Sequence, residues 1–163
     1  MKKLMVFLLV ACLLAGCGAA NQAASEKIFT VDGYNLQLTA DSSFYQNTGG
    51  SFDLQITNDH AYISIMAYKY IDLPDGMTPL DAYQVQNEDI FSRRTNVTAI
   101  EEGQTRGLYS AERDGVKNYY ATYLIDLPEH ETFAWVLVTG APSYVENNRE
   151  YLDGIVDSLK IAE

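Results

Sequence analysis

The sequence is poor in the side chains that form disulfides and metal sites. It contains two cysteines, Cys12 and Cys17, and none follows position 17. A disulfide and a thiolate nucleophile are therefore excluded from the rest of the chain. Its two histidines, His60 and His130, have no histidine or cysteine near them in sequence, so each is expected to lie at the surface. We predict no metal site and no other cofactor.

Long apolar runs are also scarce, and the main one lies at the N-terminus. It extends from Leu4 to Leu14 behind the basic pair Lys2 and Lys3. As a helix this run measures roughly 16 Å, against about 30 Å for the hydrocarbon core of a bilayer, so it is too short to span a membrane. A basic start followed by a short apolar run is typical of an export signal.

The tetrapeptide Leu14-Ala15-Gly16-Cys17 ends this segment and resembles the lipobox of bacterial lipoprotein signal peptides. In a lipobox the cysteine thiol receives diacylglycerol, and the peptide is cut just before it. The resemblance implies that residues 1–16 are a signal peptide and that Cys17 carries the lipid. It also implies that the protein is anchored to the extracytoplasmic face of a bacterial cell membrane. The alternative is an ordinary secretory signal or a buried N-terminal helix, in which Cys17 is incidental.

Residues 17–27 are predicted to be a flexible linker, because Gly18–Lys27 contains mostly small and polar residues and no aromatic. A single globular domain is expected over residues 28–163. The chain has a net charge of −11, and removal of residues 1–16 takes away two lysines and no acids, so that 9 basic and 22 acidic side chains give −13. This sign argues against nucleic acid or an anionic lipid surface as the main ligand.

Local patterns predict the secondary structure of the domain. Asp32-Gly33 and Asn58-Asp59 are hairpin turns between segments of alternating polarity. Thr78 caps a helix that has Pro79 at its first position and runs to about Ser92. A last helix is expected to start with a capping box at Ser143 and to continue to the chain end. The predicted strands are 28–31, 34–38, 52–57, 61–70, 96–102, 106–113, 117–127 and 132–139.

This order of elements predicts an α+β fold: a mainly antiparallel β-sheet with helices on both faces, an α/β/α sandwich. It resembles the Mog1/PsbP-like fold, and the ending Ile155-Val156-Asp157-Ser158-Leu159 is similar to the final helix of that family. Family members assist a photosynthetic oxygen-evolving complex or bind a small GTPase. The resemblance thus implies a non-catalytic binding or assembly domain, although no ligand residues of either branch align here. A different α+β fold of similar size is the alternative.

Catalytic motifs are not evident. No serine lies in a Gly-x-Ser-x-Gly elbow or a Ser-x-x-Lys unit. The acidic pairs Glu101-Glu102, Glu88-Asp89 and Glu129-Glu131 are expected to be solvated, because adjacent residues on a strand point to opposite faces. An envelope hydrolase that uses such acids is the less favoured hypothesis.

Tyrosine is abundant, with twelve residues, and several fall on neighbouring predicted strands. Tyr109, Tyr119, Tyr120 and Tyr123 are candidates for a binding surface, since exposed aromatic side chains grip sugars and peptides. The alternative is that these side chains fill the edge of the core. The expected partners are the membrane, through the lipid, and an envelope protein or a small ligand.

Overall fold

The computed structural model describes residues 25–162, which form ten strands and three helices. The predicted signal peptide, Cys17 and most of the predicted linker lie outside this range. The helices are α1 (Pro79–Ser92), α2 (Pro142–Asn147) and α3 (Arg149–Asp157). The strands are β1 (Glu26–Val31), β2 (Leu36–Asp41), β3 (Tyr45–Gln46), β4 (Leu54–Thr57), β5 (Ala61–Lys69), β6 (Thr95–Glu102), β7 (Arg106–Arg113), β8 (Val116–Leu127), β9 (Thr132–Gly140) and β10 (Lys160–Ile161).

Seven strands form one antiparallel sheet in the order β3-β4-β5-β9-β8-β7-β6. Strand β9 is its centre: it pairs with β5 and β8, and Thr139 is its one residue that is not fully buried. Successive side chains alternate between the two faces. Trp135 therefore packs on one side of the sheet and Val136 on the other.

The predicted hairpins form, with small differences in their turns. Asp114 and Gly115 both have positive φ, 53° and 78°, as a tight turn between β7 and β8 requires. The turn between β1 and β2 is longer than predicted, because Val31 pairs with Leu36 and leaves residues 32–35 outside the ladder. Tyr34, expected in a strand, lies in this turn.

A second, three-stranded sheet has the order β1-β2-β10 and was not predicted. Strand β10 contains two residues, Lys160 and Ile161, which pair with Gln37 and Leu36. Strand β1 begins at Glu26, two residues before the predicted domain start, because Glu26 pairs with Asp41 across the hairpin. Backbone pairing thus extends into the segment that composition assigned to the linker.

Helices cover both faces of the large sheet, so the predicted sandwich is confirmed. On one face Ala82 and Tyr83 of α1 pack with Trp135 and Phe133. On the other face α2 and α3 pack with the small sheet and with the opposite sides of β5 and β9. The buried side chains of this second core include Leu36, Leu38, Ile63, Ile65, Val136, Val138, Val145, Leu152, Ile155 and Val156.

The two helix starts have different outcomes. Thr78 and Asp81 form the predicted capping box, with Pro79 at the first helical position. The predicted box at Ser143 is wrong. Helix α2 begins two residues earlier than predicted, because its first residue is Pro142, whose missing N–H suits that position, and its N-cap is Ala141 without a side-chain cap.

The prediction of a single C-terminal helix was also wrong, because the segment divides into α2 and α3 at Asn148. The backbone N–H and the side-chain amide of Asn148 both donate to the carbonyl oxygen of Tyr144 and close the last turn of α2. None of the helices formed by residues 25–162 is long and apolar enough to cross a membrane.

Candidate functional site

Helix α1 covers only part of its face of the large sheet. Beyond Ile90 and Arg94, at the C-terminal end of the helix, the sheet opens into a groove of about 480 Å³. We call this the α1 groove. Its other walls come from β4, β5, β7, β8 and β9, so residues far apart in sequence meet in it.

The floor of the α1 groove is a row of side chains across three adjacent strands. Tyr62 on β5 lies opposite Thr139 on β9, and Thr139 lies opposite Tyr120 on β8. Tyr120 is buried, whereas 42% of Tyr62 is exposed, so Tyr62 presents its ring to solvent. The buried Leu137 and the half-buried Phe52 extend the apolar surface beside this row. The floor is therefore partly aromatic and accessible from outside.

A chain of hydrogen bonds fixes the side-chain amide of Gln55, which forms part of the wall of the α1 groove. Asn47 Nδ2 donates to Gln55 Oε1 at 2.6 Å, and Gln55 Nε2 donates to Ser64 Oγ at 2.8 Å. Ser64 is buried within the β5 strand. These bonds fix the Gln55 amide at the groove wall, because its oxygen and its nitrogen are both engaged by neighbours.

Arg94 lies at the helix end of the α1 groove and is fixed by Tyr120. Its Nε donates to the Tyr120 hydroxyl at 3.1 Å, and its guanidinium carbon lies 5.5 Å from the centroid of that ring. A third contact runs from Nη1 to the carbonyl oxygen of Arg93 at 3.1 Å. Phe91 packs edge-on against Tyr120 with a centroid separation of 5.9 Å and supports this arrangement.

The rim of the α1 groove carries Arg113, Asp59 and His60. Asp59 accepts a hydrogen bond from the Tyr45 hydroxyl, and this bond raises the pKa of Tyr45 above its usual value. The His60 ring stacks on Tyr144 with centroids 5.1 Å apart. The groove thus combines two arginines with a single carboxylate, in a chain whose net charge is −11.

Comparison with solved structures identifies the fold. The Ran-binding protein Mog1p of Saccharomyces cerevisiae is similar, with a TM-score of 0.57 and 13% identity over 86% of this chain and 97% of Mog1p. Cyanobacterial PsbP (CyanoP) from Synechocystis sp. PCC 6803 has a TM-score of 0.53 and 13% identity over 91% of this chain and 99% of its own. The domain has the Mog1/PsbP-like fold.

A variant of Mog1 gives the same result, with a TM-score of 0.56 and 14% identity over 85% of this chain and 97% of that chain. No family model matches the sequence, and no curated protein matches it. At such low identity the likeness shows the Mog1/PsbP-like fold alone. The functional side chains must therefore be read from this domain itself.

The four tyrosines predicted as a binding surface do not lie on one exposed face of the Mog1/PsbP-like domain. Tyr109 and Tyr120 point toward α1, whereas Tyr119 and Tyr123 point toward the other core. Tyr120 and Tyr123 are also buried, at 3% and 1% exposure. The prediction that these four tyrosines form one binding surface is therefore corrected. They are divided between the two faces of the sheet, because neighbouring residues of a strand alternate in direction. Of the four, Tyr120 alone lines the α1 groove.

Tyr62 is the exposed aromatic residue of the α1 groove, and it lies on the strand predicted over residues 61–70. The two-residue period predicted this strand but did not decide whether its tyrosine would fill the core or face solvent. Its exposure arises because α1 ends before it covers this end of β5. The length of one helix and its position on the sheet decide this, and neither is written in the pattern around Tyr62.

The candidate metal and acid residues are placed as follows. His130 is exposed at the turn after β8, far in sequence from His60. Within residues 25–162 no three His, Cys, Asp or Glu side chains cluster in a way that could hold a metal ion.

Glu88 and Glu102 line a second, shallow depression beside Tyr83 and Tyr109, and both are exposed. These two exposed carboxyl groups therefore do not face each other across an enclosed apolar cleft.

Proposed function

We propose that this chain is a membrane-anchored, extracytoplasmic lipoprotein whose domain binds or assembles with a partner without catalysis. One observation carries the binding role: the domain has the fold of Mog1p, a Ran-binding protein, and of cyanobacterial PsbP. The partner of Mog1p is not transferred to this chain, because 13% identity supports the fold and not the ligand.

The α1 groove supports this proposal as the place where a partner binds. Its polar side chains are fixed by neighbours before any partner arrives, as the Asn47–Gln55–Ser64 chain and the Arg94–Tyr120 pair illustrate. Preformed sites lose less conformational freedom on binding. Tyr62 adds an exposed aromatic surface of the kind that anchors partners.

Photo-crosslinking in the native host tests the binding role. A benzoylphenylalanine placed at Tyr62 should give one discrete adduct, because it keeps an aromatic ring in the α1 groove. The matched control carries the same group at Ile71, which is 87% exposed and lies beyond the opposite end of β5. The same adducts from both positions, or none from Tyr62, would contradict binding in this groove.

The membrane anchor is a separate part of the proposal and depends on Cys17. The motif Leu14-Ala15-Gly16-Cys17 supports it, together with the basic and apolar residues before it. Two or three acyl chains on one cysteine would hold the protein on the membrane durably, since each buried CH₂ adds about 0.8 kcal/mol.

Metabolic labelling with an alkyne fatty acid tests the anchor. Cys17→Ser should abolish labelling and leave the precursor uncleaved, because serine offers no thiol for diacylglycerol. Cys12→Ser is the matched control and should be labelled like the native protein, since Cys12 lies within the segment that is removed. Labelled, membrane-bound Cys17→Ser protein would rule out this thiol as the attachment point.

A further inference from the structure

We infer that the α1 groove binds a small organic anion, whose carboxylate or phosphate contacts Arg94 and whose apolar part contacts Phe52 and Tyr62. This inference goes beyond the proposed function, which names neither the charge nor the chemical class of the ligand. It depends on the charge pairing of the arginines, on the size of the groove and on the composition of its walls.

Arg94 differs from the other arginines in its partners. Arg93, Arg106, Arg113 and Arg149 each form an ion pair with an aspartate or a glutamate. Arg94 pairs with no carboxylate among residues 25–162, although the chain contains 22 acidic side chains. Its contacts are instead a hydroxyl, a carbonyl oxygen and an aromatic ring. A half-buried cation with neutral partners favours an anionic ligand.

The geometry of Arg94 leaves part of its guanidinium available to a ligand. A guanidinium carries five N–H donors, and the two contacts that Arg94 makes occupy one at Nε and one at Nη1. Three donors therefore have no partner in these two bonds. These three are the two donors of Nη2 and the second donor of Nη1. Two neighbouring N–H groups match the spacing of two oxygens on a carboxylate or phosphate.

The rest of the α1 groove favours an anion over a cation. Arg113 adds a second positive charge, and its contact with Asp114 is long, at 3.6 Å, and highly exposed, so it competes weakly. The single carboxylate, Asp59, already accepts a hydrogen bond from Tyr45. A cationic ligand would therefore meet two positive charges and one engaged negative charge.

Size and composition limit the ligand to a small molecule with an apolar part. The volume of about 480 Å³ lies within the range of small-molecule sites, about 300–1,000 Å³. Phe52, Ile90 and Leu137 supply apolar contacts, and Tyr62 supplies a flat ring. Inorganic phosphate alone would leave this surface unused. A neutral sugar would leave Arg94 without an anion.

Calorimetric titration of the full chain in detergent micelles tests the inference with three matched probes. N-acetylphenylalanine carries a carboxylate, phenyl phosphate carries a phosphate, and N-acetylphenylalanine amide is neutral. We expect at least one anionic probe to bind at least about tenfold more tightly than the amide, because charge-assisted bonds are about twice as strong as neutral ones. The order of the two anions distinguishes a carboxylate site from a phosphate site.

Two neighbouring arginines provide the matched variants. Arg94→Gln should weaken the anionic probe at least about tenfold and leave the neutral probe unchanged. Arg93→Gln should bind like the native protein, because Arg93 pairs with Asp89 at the surface and does not line the α1 groove. Arg113→Gln should weaken the anion by a smaller factor and gives a second test if Arg94→Gln fails to fold.

Three outcomes would overturn the inference. The first is equal binding of the anionic and neutral probes, and the second is that neither anion binds. The third is that Arg94→Gln and Arg113→Gln each bind the anionic probe with native affinity. None of them bears on the adduct formed at Tyr62 in cells. The anion inference and the proposed binding role can therefore fail independently.

Discussion

The buried hydroxyl of Tyr123 donates a hydrogen bond to Oδ1 of Asp153 at 2.5 Å and so connects β8 with α3. Nε of Arg149 contacts both oxygens of the same carboxylate, at 3.1 and 3.2 Å. Burial, and then the hydrogen bond to Asp153, raises the pKa of Tyr123 well above its usual value. The neutral phenol therefore serves as a permanent donor at physiological pH.

We predict that Tyr123→Phe lowers the free energy of unfolding by about 1–2 kcal/mol. The change removes a buried donor from a charged acceptor while the ring keeps its packing. Urea denaturation measures the effect. Tyr119→Phe is the control, because the Tyr119 hydroxyl reaches the exposed Glu146 at 3.4 Å, and it should cost less than about 0.5 kcal/mol. Equal losses in the two variants would contradict a special role for the Asp153 contact.

Alanine substitutions near the starts of α1 and α2 should have different effects on stability. Thr78→Ala removes the side chain that caps α1 and should lower the free energy of unfolding by about 1 kcal/mol. Ser143→Ala should change it by less than about 0.5 kcal/mol, because Ser143 lies inside α2 and caps nothing. Thermal or urea denaturation distinguishes them. A comparable loss in Ser143→Ala would restore the capping box that the sequence predicted there.

These two starts also illustrate what the sequence can predict. Local signals were sufficient where the relevant contacts are local, as in the Thr78–Asp81 box and the Asn58-Asp59 turn between β4 and β5. They failed where a distant segment decides. Strand β10 exists because Lys160 and Ile161 pair with β2, more than 120 residues away in sequence, and two residues carry no period that predicts a strand.

The α1 groove shows the same limit. Arg94 at a helix end and Tyr62 on a strand are ordinary residues in sequence, and only the packing of α1 on the sheet brings them to one site. The opposite orientations of Tyr119 and Tyr120, in contrast, follow directly from the two-residue period of a strand. That part of the tyrosine hypothesis could have been corrected from the sequence alone.

We predict that Asp41 stabilises the fold at neutral pH and that this contribution disappears in acid. Hydrogen bonds from Ser43, and then from Tyr151, lower the pKa of Asp41 below its usual value. A lowered folded-state pKa gives stability that is present above the unfolded-state pKa and is lost as pH falls through the folded-state value. Asp41→Asn should thus be less stable than the native protein at pH about 7, and this difference should shrink below pH about 4.

Denaturation of both proteins across this pH range measures the difference. Asp75→Asn changes an exposed aspartate in the turn before α1 and serves as the control, with little effect expected at either pH. A stability difference between Asp41→Asn and the native protein that is independent of pH would contradict a contribution from the ionised carboxylate.

The same glycine-to-alanine change should have opposite effects at two positions, because the space around them differs. At Gly140, on the wall of the α1 groove, an added Cβ would lie 2.8 Å from the backbone oxygen of His60 and 3.2 Å from Val145 Cγ2. Gly140→Ala should therefore destabilise the protein by about 1–3 kcal/mol, since the backbone that it meets must shift. At Gly154, inside α3, no atom lies within 4 Å of the added Cβ. Gly154→Ala should raise the free energy of unfolding by about 0.5–1 kcal/mol, because alanine has the higher helix propensity. Urea denaturation of both variants measures the two changes. If both variants were destabilised, or both stabilised, the described packing around these glycines would be contradicted.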